Sequence, residues 1–551
     1  MADSSTVLPT PVKALRRWVD RNIFDLGRQM RPSYLPPLMV YMAAGISGLT
    51  AIVGTFFVKE YLGLSAHFLA ALGFWATLPW ALKMPLGHIV DLIWRHKAGL
   101  VYLGAGLLAA SVVIMIGLLG NPVAMRGVMP AEVWFVLSTL LAPIGYVLQD
   151  TVADAMTVEA VPRVDAHGQP VPEEERRLRQ VTMQTLGRVA IIGGSVLVSI
   201  ANVILFRDAG SMTTAQKAAT YLQVYEWALI IPIISVLGVA LASVLRRRHA
   251  RRLAASGLNQ AEIRALLDTH GQRPDVNWWI LGGSIVFVGF SVSLGLSDIP
   301  LNEEIIFGGS LAIVLFLMWR LIRELDAQAR NTLIGTALLI FIYRAMPTPG
   351  AGSTWWMIDV LGFDQQFLSV LGLIASALTL AGLFIFRRFM AERSIVYVIG
   401  VLTVTGTVLA LPQLAMFYGF HHWTATVTHG LVDARFISLV DTALESPLGQ
   451  IAMVPMLAWI ANSAPDRLKA TYFAVMASFT NLALALSQLG TKYLNDLFVL
   501  TREVMDSASG AVQTPANYAE LGHLYLAVIA IGFSLPMLAI LFVRATRFRS
   551  A

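Results

Sequence analysis

The sequence predicts an all-α polytopic membrane protein: fourteen transmembrane helices, set out as two six-helix bundles with a two-helix hairpin inserted between them. Three observations predict it. The 551 residues are 56% hydrophobic and only 13% charged, about half the charge of an ordinary soluble chain. The apolar residues gather into stretches of about 20, the length that crosses about 30 Å of hydrocarbon. The basic residues alternate between loops, as the positive-inside rule requires. The net charge of +6 is then a property of one membrane face, and nucleic acid is not needed to explain it. With no cysteine in the chain, disulfides, thiolate metal sites and cysteine nucleophiles are excluded.

The spans fall near 38–58, 65–83, 98–118, 132–157, 181–205 and 223–245, then 277–297 and 302–323, then 332–346, 366–386, 394–412, 436–462, 468–489 and 521–543. With both termini cytoplasmic, about 30 Lys and Arg fall in inner segments and about 6 in outer ones. The inner set includes Arg16, Arg17, Arg21, Arg95, Arg176, Arg177, Arg179, Arg246 to Arg248, Arg387, Arg388, Arg544, Arg547 and Arg549; the outer set is Lys59, Arg126, Arg207, Lys217, Lys492 and Arg502. Omitting one span would invert every later loop, so the count should be even. No cleavable signal peptide is expected in residues 1–37. Residues 12–26 place Leu15, Trp18, Val19, Ile23 and Leu26 on one side, which reads equally as an interfacial amphipathic helix and as a frayed basic tail. The expected domains are this segment (1–37), an N-terminal bundle (38–245), a basic cytoplasmic linker (246–276), the hairpin (277–331) and a C-terminal bundle (332–551). In the linker, Asn259 and Glu262 have capping-box spacing. The expected location is a bacterial inner membrane.

Short internal matches support two related halves. VEAVPR at 158–163 answers NSAPDR at 462–467, and Arg177-Leu178-Arg179 answers Arg467-Leu468-Lys469. Two six-helix halves related by an axis along the membrane normal describe the major facilitator fold. Charges at bilayer depth are functional candidates, because they are costly unless paired or hydrated. Asp150 and Asp154 are spaced i, i+4 on the fourth span, Asp150 about 18 Å from its inner end. Arg188 lies about 14 Å deep on the fifth span, with Gln184 one turn below it, and Arg344 lies about 21 Å from Arg330. These residues, with Asn481 on a polar side of the penultimate span, form the expected substrate-binding or proton-coupling set. An Asp154–Arg188 ion pair that merely locks two helices accounts for that pair equally well. Glu159 reads as a rim charge. Asp441 and Glu445 are also i, i+4 and are expected in an outer vestibule, solvated. In the loop after the second span, Gly87, Asp91 and Arg95, with Lys83 before them, form the expected cytoplasmic gate; Gly87 would allow close helix approach.

Four segments then carry a narrower resemblance. Leu78-Pro79-Trp80, Lys83, Pro85, Gly87 and Asp91 resemble the second-helix motif of the folate–biopterin transporter family, a branch of the major facilitators. QDTVADAMTVEA (149–160) is similar to its fourth helix, with Asp150, Asp154 and Glu159 on the acidic positions. YRAMPTPGAGSTWWMIDVLGF (343–363) resembles its seventh-helix exit, and LKATYFAVMASFTNLALALSQLG (468–490) its eleventh helix, with Ala477-Ser478 and Asn481. The resemblance runs over about 38–245 and 332–543. Val90 stands where that family more often has Ser, and the hairpin at 277–323 is absent from its simplest members.

The resemblance implies proton-linked transport of folates, biopterin or related pteridines. A carboxylate can accept paired N–H donors from a pteridine ring, a role open to Asp150 and Asp154 alike. A glutamate tail suits Arg344 or Arg188. Either aspartate could also take the coupling proton, since desolvation favours the neutral form. The expected partners are a small organic solute, protons and the bilayer, with the protein a monomer. Other cargoes (a nucleoside-like cation, an amphiphile, a lipid) and a non-transport role as assembly factor or receptor are the alternatives. No phosphate-binding Gly-rich loop followed by Lys-Ser/Thr is present, so ATP-driven transport is not encoded in this chain. No enzyme activity, cofactor or metal is expected: His421, His422 and His429 share an outer loop without a spaced ligand set.

Overall fold

The structure, a computed structural model, describes residues 25–62, 64–81, 83–161, 171–255, 257–267, 278–295, 299–323, 326–386, 393–448, 469–505, 512–546 and 548. Residues 12–24 of the proposed amphipathic segment, the 462–467 motif, Arg387, Arg388 and Arg467 lie outside them. The N-terminal half is built from α1 (Leu35–Ile46), α2 (Ala51–Tyr61), α3 (Ala66–Ala81), α4 (Lys83–Leu92), α5 (Ala98–Gly120), α6 (Ala131–Ala160), α7 (Glu173–Leu205) and α8 (Ile230–Ala255). A hairpin follows, α9 (Trp278–Gly295) and α10 (Asn302–Ile322). Then come α11 (Ala327–Arg344), α12 (Ala351–Asp359), α13 (Gln365–Ile385), α14 (Ile395–Phe417), α15 (Phe420–Val427), α16 (Ala434–Glu445), α17 (Lys469–Leu497) and α18 (Leu521–Ala545).

Local chemistry sets many of these ends. Pro36 and Pro37 open α1 in the first turn, where a missing N–H costs nothing. Asp326, Asp364, Ser394 and Asp433 each cap a helix of the C-terminal half with a side-chain oxygen. Asn259 and Glu262 do form the reciprocal capping box that starts the short helix Gln260–Leu267. Among the described residues nine helices are long and apolar enough to cross a membrane. The remaining predicted stretches hold helices that are shorter, interrupted or more polar, such as α3, α11 and α17. The protein is a multi-span membrane protein; of the predicted stretch 436–462, residues 449–462 lie outside the described residues. One element departs from an all-α chain: Val504–Met505 (β1) and Val512–Thr514 (β2) form a small antiparallel ribbon before α18. These strands are two and three residues long and carry no alternating pattern for a sequence reading to catch.

The halves meet along two seams. Along one, α3 packs on α17 so closely that a Cβ on Gly73 would stand 2.6 Å from Gln488 Oε1. Along the other, Ser376 on α13 donates to Ser199 on α7 at 3.2 Å. The hairpin sits over the α3–α17 seam: Phe287 and Ile306 share an apolar cluster with Phe74, Leu78, Leu482 and Ala485. Lys492 Nζ fixes it there, 2.6 Å from Glu303 Oε2 and 3.2 Å from Glu304 Oε1, and Tyr493 Oη donates to Glu304 at 2.6 Å.

The chain is broken between α11 and α12 at Met346-Pro347-Thr348-Pro349. Irregular backbone at membrane depth needs partners for its polar groups, and α17 supplies them. Ser487 Oγ donates to the Met346 carbonyl at 2.6 Å, Thr491 Oγ1 accepts from the Thr348 N–H at 3.0 Å, and Asn495 Nδ2 donates to the Pro349 carbonyl at 3.2 Å.

Within the N-terminal half, α1 and α7 touch backbone to backbone: a Cβ on Gly45 would lie 2.1 Å from the Ile191 carbonyl oxygen. Gly45→Leu should therefore force these helices apart, at a cost of about 1–3 kcal/mol or more. It should lower the melting temperature and the monodisperse yield in detergent. Gly106→Ala, where nothing lies within 4 Å of the new atom, is the matched control and should melt as the wild type does.

Candidate transport site

Asp150 and Asp154 share one face of α6 as their spacing requires. The residue that meets them is Lys83, the first residue of α4, immediately past the Pro79 bend of α3. Its Nζ lies 2.6 Å from Asp150 Oδ2 and 2.8 Å from Asp154 Oδ2. Tyr41 of α1 completes the cluster, its hydroxyl donating to Asp154 Oδ1 at 2.6 Å. The two carboxylates differ in access: the Asp150 side chain is 16% exposed and that of Asp154 41%. Asp154 is thus the more accessible of the two.

Lys83, expected at the gate, belongs instead to this cluster. Gly87, expected to allow a close approach, has nothing within 4 Å of the position a Cβ would take among the described residues. The side chains of Asp91 and Arg95 lie outside the described residues. Glu159 is a rim charge paired with Lys97 at 2.6 Å.

Arg188 on α7 lies within electrostatic reach of Asp150 and Tyr41. Among the described residues it makes no ion pair with Asp154, because Lys83 and Tyr41 take both of that carboxylate's oxygens. Arg344 ends α11 in the other half, half-buried, with its Nε buried and without a hydrogen-bond partner. Its strongest charged neighbour is Arg188. Two guanidiniums, one from each half, thus lie within electrostatic reach of each other. Three cations stand against two carboxylates, leaving one positive charge over, an arrangement that favours an anion between the arginines.

Gln184 Nε2 donates to Thr157 Oγ1 at 3.2 Å, tying α7 to α6. Asn481 Nδ2 donates to the Trp80 carbonyl at 3.2 Å, tying α17 to the bend of α3. Both act as ties between helices in this conformation. Asp441, expected to be solvated, is instead 6% exposed, and its Oδ1 has no partner.

Sequence reasoning missed Tyr41 altogether, since a search for charge at depth passes over a neutral hydroxyl. It also missed a latch on the face opposite the arginine-rich one. Lys59 at the end of α2 pairs with Asp359 at the end of α12 at 2.5 Å, and Tyr518 Oη donates to the other Asp359 oxygen at 2.5 Å. Burial and the neighbouring Asp359 push the Tyr518 hydroxyl well above its ordinary range, so it stays a donor. Arg502 donates to the carbonyls of Lys59 at 2.9 Å and Leu64 at 2.6 Å and lies 5.1 Å over the Trp355 ring. Lys59 and Arg502 are among the few basic residues that sequence counting places on that face.

The rings of His421 and His422 lie tilted to each other with centres 3.9 Å apart; burial, then His422, holds the His421 imidazole below its usual range. No group of three His, Cys, Asp or Glu able to hold a metal occurs among the described residues.

Solved structures share this architecture over almost the whole chain. A POT family transporter in complex with a thioalcohol-conjugated peptide superposes with a TM-score of 0.55 at 12% identity, covering 93% of this chain and 96% of that one. The peptide transporter POT in complex with sulfate gives 0.55 at 16% identity, covering 94% and 95%. The fold is therefore the one these POT structures share, an all-α multi-span membrane fold. Residues 308–547 match the model of the BT1 family. A "Folate-biopterin transporter" from Synechocystis sp. is 22% identical over 497 residues, 88% of this chain and 78% of that protein. Over residues 308–547, and in its 22% identity to that relative, the chain resembles the BT1, or folate–biopterin transporter, family.

Breaking a buried ion pair by removing one partner costs about 3–5 kcal/mol. Lys83→Met should therefore lower the melting temperature markedly, and adding Asp150→Asn should recover most of the loss. Differential scanning fluorimetry of the single and double variants checks this; equal melting of all three would remove the cluster as a structural unit.

Proposed function

We propose that the protein is a proton-coupled symporter of a pteridine-type solute, folate- or biopterin-like, working by alternating access. The observation that carries the reading is the pair of guanidiniums, Arg188 and Arg344, which approach from opposite halves without carboxylate partners of their own. An anionic tail placed between them would relieve their repulsion and draw the halves together. Asp154, held by Lys83 and Tyr41 yet 41% exposed, is the acceptor for paired N–H donors of a pteridine ring. Asp150, more enclosed, keeps Lys83 in place. Gln184 and Asn481 hold the helices that frame the site, and Asp91 and Arg95 with Gly87 remain the candidate gate on the basic face. A cationic cargo fits less well, because Lys83 already occupies both carboxylates. The name borne by the Synechocystis relative agrees with the pteridine choice.

In this reading the chain has fourteen spans and both termini in the cytoplasm of a bacterial inner membrane, and it functions as a monomer. Its bundles are 38–245 and 332–551, with the linker 246–276 and the hairpin region 277–331 between them. The Lys59–Asp359 latch closes the extracellular side in the conformation described.

Uptake of labelled folic acid into proteoliposomes, with and without an inward proton gradient, tests the reading. Gradient-driven accumulation is expected; equal uptake in both conditions would sink proton symport. Arg344→Ala should cut uptake at least tenfold, and Arg344→Lys should restore only part, since a lysine offers no planar fork to a carboxylate. A thermal-shift panel separates substrate classes, because a ligand that favours the folded state raises apparent stability. A shift with another solute class and none with any pteridine would overturn the choice of cargo. The chain has no native cysteine, so a Lys59→Cys, Asp359→Cys pair can be cross-linked without background. Cross-linking should stop uptake and reduction should restore it; uptake unaffected by a complete cross-link would remove the latch from the transport cycle.

A further inference from the structure

The coupling proton needs a carboxyl group that can change its protonation state without stranding a neighbouring charge. Asp150 and Asp154 are poorly placed for that. Both stand in ion-pair contact with Lys83, and an adjacent cation favours the ionised form of a carboxylate. Protonating either would leave the lysine undercompensated.

A second pair of carboxyls has no such partner. On α16, Ala434, Ile437, Ser438 and Asp441 form the buried side, and Glu445, one turn beyond Asp441, lies on that same side. Asp441 is 6% exposed and its Oδ1 meets no donor. Glu445, by contrast, is exposed. Among the described residues neither carboxyl forms an ion pair. The helices packed on α16 supply few polar groups. Gln413 of α14 lies close to Asp441, and Tyr343 of α11 lies within electrostatic reach of Glu445. The α13 sequence contains no titratable residue, and the sole one in α14, Tyr397, stands at that helix's far end. His421 and His422 of α15 lie toward Asp433, two turns from Asp441.

We propose that Asp441 and Glu445 form the proton-binding site of the transport cycle: Glu445 takes a proton from the accessible side, and the pair shares it with the buried Asp441 oxygen. Two carboxyls one turn apart, one of them buried, resist being ionised together, so the pair retains one proton. The link to the cargo is short in sequence. Tyr343, beside Glu445, is followed by Arg344, which the preceding reading assigns to the solute's anionic group. An anion arriving at Arg344 adds negative charge near the carboxyl pair and favours its protonation, and by linkage the proton favours the anion. This assignment rests on the symport reading and adds the site at which the proton is held.

The test uses the full chain in proteoliposomes with labelled folic acid, and compares accumulation driven by a proton gradient with counterflow exchange at equal pH on both sides. Asp441→Asn should reduce accumulation at least tenfold while leaving counterflow within about twofold of wild type, and should flatten the pH profile of counterflow. Arg344→Ala should lose both. Glu445→Gln should behave as Asp441→Asn does, and it decides the matter if the Asn variant does not fold. Gradient-driven accumulation at the wild-type level in a folded variant would overturn the proposal. Loss of accumulation and counterflow together would also overturn it, by placing the residue in solute binding. A wild-type protein that ignores the gradient would instead overturn the symport reading itself.

Discussion

A lysine ammonium inside a membrane protein has to be matched by negative charge, and the N-terminal half is organised around that requirement. Lys83 is placed at the start of α4 by the bend at Pro79, where α3 gives out. Its charge calls for acceptors on α6, and Asp150 and Asp154 provide them one turn apart. Tyr41 then joins α1 to the same group. Three segments of the bundle, those of α1, α3–α4 and α6, are thereby fixed in register at one level. The open edge of Asp154 exists only because its other contacts are already satisfied. Pairing of this kind contributes more to uniqueness of arrangement than to stability, since desolvation offsets much of the attraction.

The same economy governs the C-terminal half by other means. There the polar groups that need satisfaction belong to the backbone, at the break between α11 and α12. Ser487, Thr491 and Asn495 recur at fourfold spacing along α17 and meet that break one after another. The polar stripe of α17, which includes Asn481 against the Trp80 carbonyl, is thus explained by two irregular stretches of chain, one from each half. The hairpin docks on the same helix through Lys492, so α17 touches both bundles and the insertion.

Apolar length and loop charge made the helix positions legible in the sequence: α5 begins at Ala98 and α18 at Leu521, both where the predicted spans begin. Counting rise per residue also placed Asp150, Asp154, Arg188 and Arg344 at a common depth. It could not give their azimuth about the helix axes or their partners, and there the reading went astray. Lys83 looked like a loop residue because Pro79 hides that the chain is still descending. Asp441 looked solvated because its depth was read without the helices packed over it. Gly87 matched a motif whose usual reason is a close helix approach, and among the described residues nothing lies within 4 Å of a Cβ there. Tyr41 and the Lys59–Asp359–Tyr518–Arg502 latch depend on contacts between residues more than a hundred positions apart, and no local pattern records them.

The break at 346–349 has a kinetic consequence. Asp359 and Trp355, which hold the latch, ride on α12, whereas Arg344 ends α11 on the other side of the break. The two segments are joined by a few side-chain hydrogen bonds to α17 in place of a continuous helical ladder. α12 is nine residues long and its Trp355 and Trp356 are buried, so releasing the latch means unseating those two rings, a slower event than the nanosecond motions of a free loop. It does not require α11 to unwind, so in the proposed cycle the rim and the Arg344 end can move separately.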